Sequence, residues 1–80
     1  MIKCNCCGKR KRFLESFEEI TIGTDVLYIC KKCSTIIYKI RDAVKYDQDN
    51  KDTLIAVLEE RMCKDSFEFK KWFQNRILKK

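Results

Sequence analysis

Cys4-Asn5-Cys6-Cys7-Gly8-Lys9 and, one hairpin's length later, Tyr28-Ile29-Cys30-Lys31-Lys32-Cys33 are the stretches on which the fold turns. Each holds a Cys-x-x-Cys pair, Cys4 with Cys7 and Cys30 with Cys33, and together they offer four thiolates to one tetrahedral ion. Two residues between cysteines suit a knuckle, a tight turn that straddles a metal, and Gly8 supplies the positive φ that lets backbone N–H groups point at sulfur. Zn2+ is the expected occupant. It prefers soft thiolates in a tetrahedron, and four cysteines leave no coordination position for water, so the expected role is structural rather than catalytic.

The bulk properties ask for such a staple. A chain of 80 residues seldom stabilises a core by burial alone. Six cysteines could form disulfides instead, but Cys4 follows Met1-Ile2-Lys3 directly, with no apolar run that reads as a leader or a membrane span. The expected location is therefore cytoplasmic, where paired cysteines are metal or redox sites rather than structural disulfides. A thioredoxin-like redox pair is the rival reading of Cys30 and Cys33, which follow a strand and open a helix. It lacks room for the βαβ sheet and leaves Cys4 and Cys7 without a purpose. Cys6 could swap into the ligand set, yet the knuckle needs two intervening residues, which Cys4 and Cys7 provide. Cys63 reads as a small buried hydrophobe.

Eighteen Lys and Arg against twelve Asp and Glu give a net charge of +6, which four thiolates around a divalent ion lower by two. The excess favours polyanionic partners without selecting one. Histidine is absent and no nucleophile and base stand together, so no enzymatic activity is expected.

Periodicity assigns the elements. Phe17 to Ile22 and Val26 to Ile29 are rich in β-branched and aromatic residues and flank Gly23-Thr24-Asp25, the composition of a hairpin turn. Ile36, Ile37, Ile40 and Val44 recur at helical spacing, predicting a helix from Ser34 to Tyr46 with Ser34 as N-cap. After the polar break Asp47-Gln48-Asp49-Asn50, a second helix begins near Lys51 with Leu54, Ile55, Leu58 and Met62 on one side. A third follows Asp65, which with Glu68 has the spacing of a capping box. The expected fold is a small zinc-stabilised α+β protein: a treble clef of β-hairpin plus helix, then two further helices. Residues 1–46 would form the zinc module and 47–80 a helical lobe packed on the first helix.

Cys4, Cys7, Gly8, Lys9, Tyr28, Ile29, Cys30 and Cys33 resemble the N-terminal zinc-binding domain of the ClpX unfoldase over residues 4–44. That resemblance implies a module that binds adaptor and substrate proteins and pairs with itself, here without the ATPase that follows it in the family. The two cysteine pairs ahead of helices also look similar to small anti-sigma factors of spore formers. Trp72-Phe73-Gln74-Asn75-Arg76 in turn resembles the recognition helix of homeodomains, over residues 66–80, although Ile77 stands where that family has a phosphate-binding arginine.

A helical projection gives the third helix two sides. At about 100° per residue, Phe69, Phe73 and Trp72 fall within about 60° of one side, and Lys71, Gln74, Asn75 and Leu78 lie between about 140° and 240°. The homeodomain likeness makes those four the base-facing positions: Gln and Asn can pair with adenine, Lys with guanine, and Leu with a thymine methyl. Lys70, Arg76, Lys79, Lys80 and the run Lys9-Arg10-Lys11-Arg12 would neutralise phosphates. The leading expectation is a DNA-binding regulatory protein. The alternative is a protein-binding adaptor or inhibitor that uses the hairpin and C-terminal helix; Phe13, Phe17 or Trp72 exposed in an apolar patch would favour it, and the same rings buried behind a basic outward face would favour nucleic acid.

Overall fold

The computed structural model describes residues 2–78. Strands β1 (Phe17–Ile22) and β2 (Asp25–Cys30) form an antiparallel hairpin, followed by helices α1 (Lys31–Lys45), α2 (Lys51–Arg61) and α3 (Phe67–Phe73). The last helix runs on into a π-helical turn, Gln74–Leu78. This is a small α+β protein. Lys79 and Lys80, both expected to contact phosphate, lie outside the described residues.

The hairpin closes with Ile22 opposite Asp25, leaving Gly23 and Thr24 as a two-residue loop. Gly23 carries φ +58, the left-handed angle that a type II′ turn requires at its first central position. Pairing places Leu27 opposite Ile20 and Ile29 opposite Glu18, so Glu18 shares the inward face with buried Leu27 and Ile29. That carboxylate is satisfied from α1, where the hydroxyls of Ser34 and Tyr38 both donate to it.

Ser34 is thus not the N-cap expected of it. Helix α1 starts three residues earlier, with Cys30 in the cap position and no side-chain cap hydrogen bond. Strand β2 passes into α1 without a loop, so the cap falls where the backbone changes conformation. The Asp65–Glu68 capping box is also not formed. Ser66 occupies the cap of α3, and its hydroxyl donates instead to the Cys63 carbonyl at 2.7 Å.

One core draws on both segments of the chain. Ile29, Ile37, Ile40, Leu58, Phe69 and Phe73 are buried together with Cys4, Cys6, Cys30 and Cys33. Ile36, Val44, Leu54, Ile55, Met62 and Trp72, all read as apolar-face residues, pack half-buried around them. Phe69 stacks on Phe73 with ring centroids 5.9 Å apart and meets Trp72 at 5.8 Å. Each fully buried Leu, Ile or Phe side chain contributes about 1.5–3 kcal/mol by leaving water.

The π-turn changes which residues that core receives. Its wider winding places residues four and five apart on one side, so Ile77 and Leu78 follow Trp72 and Phe73 inward. Both are half-buried and packed on the core. Leu78, expected on the outward face, is therefore a packing residue, because the projection assumed an α-helix to the end of the chain.

Candidate metal centre

The first knuckle closes on itself through local hydrogen bonds. Cys4 N–H donates to the Lys9 carbonyl at 2.8 Å, Gly8 N–H to the Cys4 carbonyl at 2.9 Å, and Cys7 N–H to Cys4 Sγ at 3.5 Å. Gly8 has φ +79, which this closure needs and which an L side chain resists. The second knuckle is built differently. Cys30 caps α1 and Cys33 lies within its first turn, so helical winding fixes both sulfurs, and the partial positive charge at the helix start favours thiolates there.

Asn5 brings the two together. Its N–H donates to the Tyr28 carbonyl at 2.7 Å, while its Oδ1 accepts from Tyr28 N–H at the same distance. This two-way clamp lies between the ligands of one knuckle and two residues before those of the other. Nothing in the sequence marks Asn5, since either non-cysteine position of a knuckle tolerates many residues.

The Sγ atoms of Cys4, Cys7, Cys30 and Cys33 all lie within 4.8 Å of one another. Cys7 and Cys30 are 3.7 Å apart. A tetrahedron with metal–sulfur bonds of about 2.3 Å has edges of about 3.8 Å, so the cluster needs only a small contraction to surround one ion. Cys4, Cys30 and Cys33 are buried and Cys7 is half-buried.

Considered as thiols, Cys4, Cys7 and Cys33 are perturbed in different directions. The interaction between Cys4 and Cys33 draws Cys4 down to about 4 and pushes Cys33 upward. Burial raises Cys7. A divalent ion inverts this balance, because ligation requires all four sulfurs as thiolates.

Two further groups surround the sulfurs. Cys6 is fully buried and lies against Cys33, outside the group of four. Its carbonyl accepts the Cys63 N–H at 2.8 Å, which ties the first knuckle to the segment between α2 and α3. Cys63 itself is half-buried rather than enclosed, and its sulfur faces Gly8. Arg61, the last residue of α2, turns its guanidinium toward the Cys33 sulfur, and its buried Nε has no hydrogen-bond partner. A single Arg at the end of a helix gives no sign in sequence that it will face sulfur, so its place beside the cluster emerges only in the folded chain.

The residues expected to face nucleic acid are divided. Lys71, Asn75 and Arg76 are exposed and line a cleft of about 270 Å³ with Trp72, beside Ile22 and Asp25 at the hairpin tip. Gln74 and Leu78 line a different cleft, with Lys70 and Met62. The hairpin therefore stands next to the polar face of α3. Comparison with known proteins places the chain in no family: no family model, curated protein or solved structure matches it.

Proposed function

We propose that this is a non-enzymatic regulatory protein in which Cys4, Cys7, Cys30 and Cys33 hold one structural Zn2+ in a treble-clef arrangement. The order of knuckle, hairpin, knuckle and helix fits that architecture, as does the resemblance to the ClpX zinc-binding domain. Four sulfurs within reach of one ion support a closed, stabilising site. On this reading the protein acts by occupying a partner protein.

The observation that carries the protein-binding reading is Trp72. It is half-buried between two open clefts, one with Ile22 at the hairpin tip and one with Ile20, Ile37 and Ile77. Both clefts mix apolar with charged side chains, Glu68 and Lys71 in the first and Glu18, Glu19 and Arg41 in the second, and a tryptophan in such a setting is a residue type enriched among interface anchors. The test is capture of partners from lysate by the intact protein, with and without nuclease. Capture is expected to survive nuclease and to fail for Ile22→Ser at unchanged zinc content.

Exposure of Lys71, Gln74, Asn75 and Arg76 favours a second reading, duplex DNA binding through α3. Nuclease-sensitive capture that falls steeply with salt and is lost on Asn75→Ala would select it. There Asn75→Ala should weaken specific binding by about 1–3 kcal/mol and leave the fold intact.

A further inference from the structure

The segment between the first knuckle and β1 carries side chains that neither the metal nor the core uses. Phe13 is 93% exposed and Leu14 86%, the two most exposed large apolar side chains described. They are the central residues of a turn closed by Glu15 N–H to the Arg12 carbonyl at 3.1 Å. Leu14 has φ +69, at the second central position where this kind of turn favours Gly or Asn. A left-handed leucine costs about 1–2 kcal/mol, and here no packing offsets it. With this backbone, two apolar side chains project from one tip.

The tip is also braced and charged. The Glu15 carboxylate accepts from Lys9 Nζ and from Arg12 N–H, the latter at 2.8 Å, so both ends of the turn are held. Lys3 pairs with Arg10 across an isolated antiparallel bridge, which places two like charges on one face. Lys3, Arg10, Lys11 and Arg12 are all exposed, and Lys9 alone among these bases has a carboxylate partner. Such repulsion is relieved by an anion laid across the group.

From this geometry we infer that the tip Arg12–Glu15, with Lys3, Arg10 and Lys11 beside it, is a binding site for single-stranded nucleic acid. Phe13 stacks on an unpaired base, Leu14 covers the adjoining sugar, and Lys3, Arg10 and Lys11, with Arg12 beside Glu15, neutralise flanking phosphates. A single strand fits better than a duplex. Faces of paired bases are already stacked, and the major groove admits a helix or a two-stranded ribbon rather than a two-residue tip. The site shares no residue with the Trp72 clefts, so it stands or falls independently of the protein-binding reading.

Fluorescence anisotropy of labelled oligothymidylate, oligouridylate and a duplex of equal length tests this with the zinc-loaded protein. Binding to the single strands is expected, with log K falling against log salt by about 2–3 per decade, as three or four phosphate contacts give. An added oligodeoxyuridylate arm, which differs from oligouridylate only in the 2′-hydroxyl, shows which sugar is preferred. Phe13→Ala should weaken binding about 5- to 100-fold, whereas Phe13→Trp should retain it. Asn75→Ala should change nothing, which separates this site from α3. Zinc content and helicity of each variant confirm that the fold persists. No single-strand binding at low salt would overturn the proposal and leave an acidic protein as the tip's occupant. Equal binding by Phe13→Ala, or preference for the duplex, would overturn it as well.

Discussion

Cys4 and Cys7 sit in irregular chain held by local hydrogen bonds, one glycine and the links that Asn5 and Cys6 make to distant segments, whereas Cys30 and Cys33 sit where a strand becomes a helix whose inner side is buried. Identical spacing therefore conceals unequal support. The second knuckle inherits its geometry from the winding of α1 and from Ile37 and Ile40 beneath it. The first has no regular element beneath it and relies on Asn5, Gly8 and the link from Cys6 to Cys63, so binding of the proposed metal should organise it more than its counterpart.

Removing the metal has the largest expected effect. Structural zinc contributes about 10–16 kcal/mol in small zinc peptides, more than a chain of this size holds in net stability. Chelation should abolish cooperative unfolding by circular dichroism, and hydrogen exchange should show Cys7 and Gly8 amides unprotected while α1 amides retain the slowest exchange. Protection that persists at the first knuckle and vanishes from α1 would break the comparison.

Arg61 sharpens it from the other side. Four thiolates around a divalent ion carry two net negative charges, and this guanidinium faces the cluster from the end of α2. Arg61→Met should lower metal affinity about 10- to 100-fold, as loss of an outer-sphere partner does, and should speed transfer to a chelator. Unchanged affinity would show that the helix start alone supplies the compensating charge.

Asn5→Ala leaves the Tyr28 N–H without its side-chain acceptor and should cost about 1–3 kcal/mol in chemical denaturation of the metal-loaded protein. The loss should concentrate in the first knuckle. An equal loss of protection in both would mean that the clamp supports the site as a whole.

The smallest effect concerns Glu15. Lys9, and after it the Arg12 N–H, hold its carboxyl below the ordinary carboxylate value. A depressed value in the folded state means that the contribution is present above the unfolded value of about 4.3 and is lost as pH falls through the folded one. The stability difference between wild type and Glu15→Gln should therefore be present at neutral pH and close on acidification. A difference that widens in acid would contradict the bracing of the tip.

Much of the architecture was readable because it is set by local periodicity. The β1 boundaries, the start of α2 near Lys51, and the apolar faces of all three helices follow from side-chain spacing, which the backbone geometry of each element converts directly into a buried side. The four sulfurs were equally legible, since Cys-x-x-Cys spacing is a property of a turn and needs no distant partner. The ends of elements were less so. Ser34 and Asp65 both have cap chemistry, yet the caps fell at Cys30 and Ser66, where the path of the chain between packed elements required the turn.

What the sequence determined by itself is thus a hairpin, three helices and two cysteine pairs, each a consequence of neighbours along the chain. Only the tertiary structure decided that Asn5 would clamp Tyr28, that Arg61 would face Cys33, that a π-turn would carry Leu78 inward, and that Phe13 and Leu14 would be left in water. These depend on pairings between residues distant in sequence, and on which apolar groups the finite core has room to accept. Spacing along one segment carries no information about either.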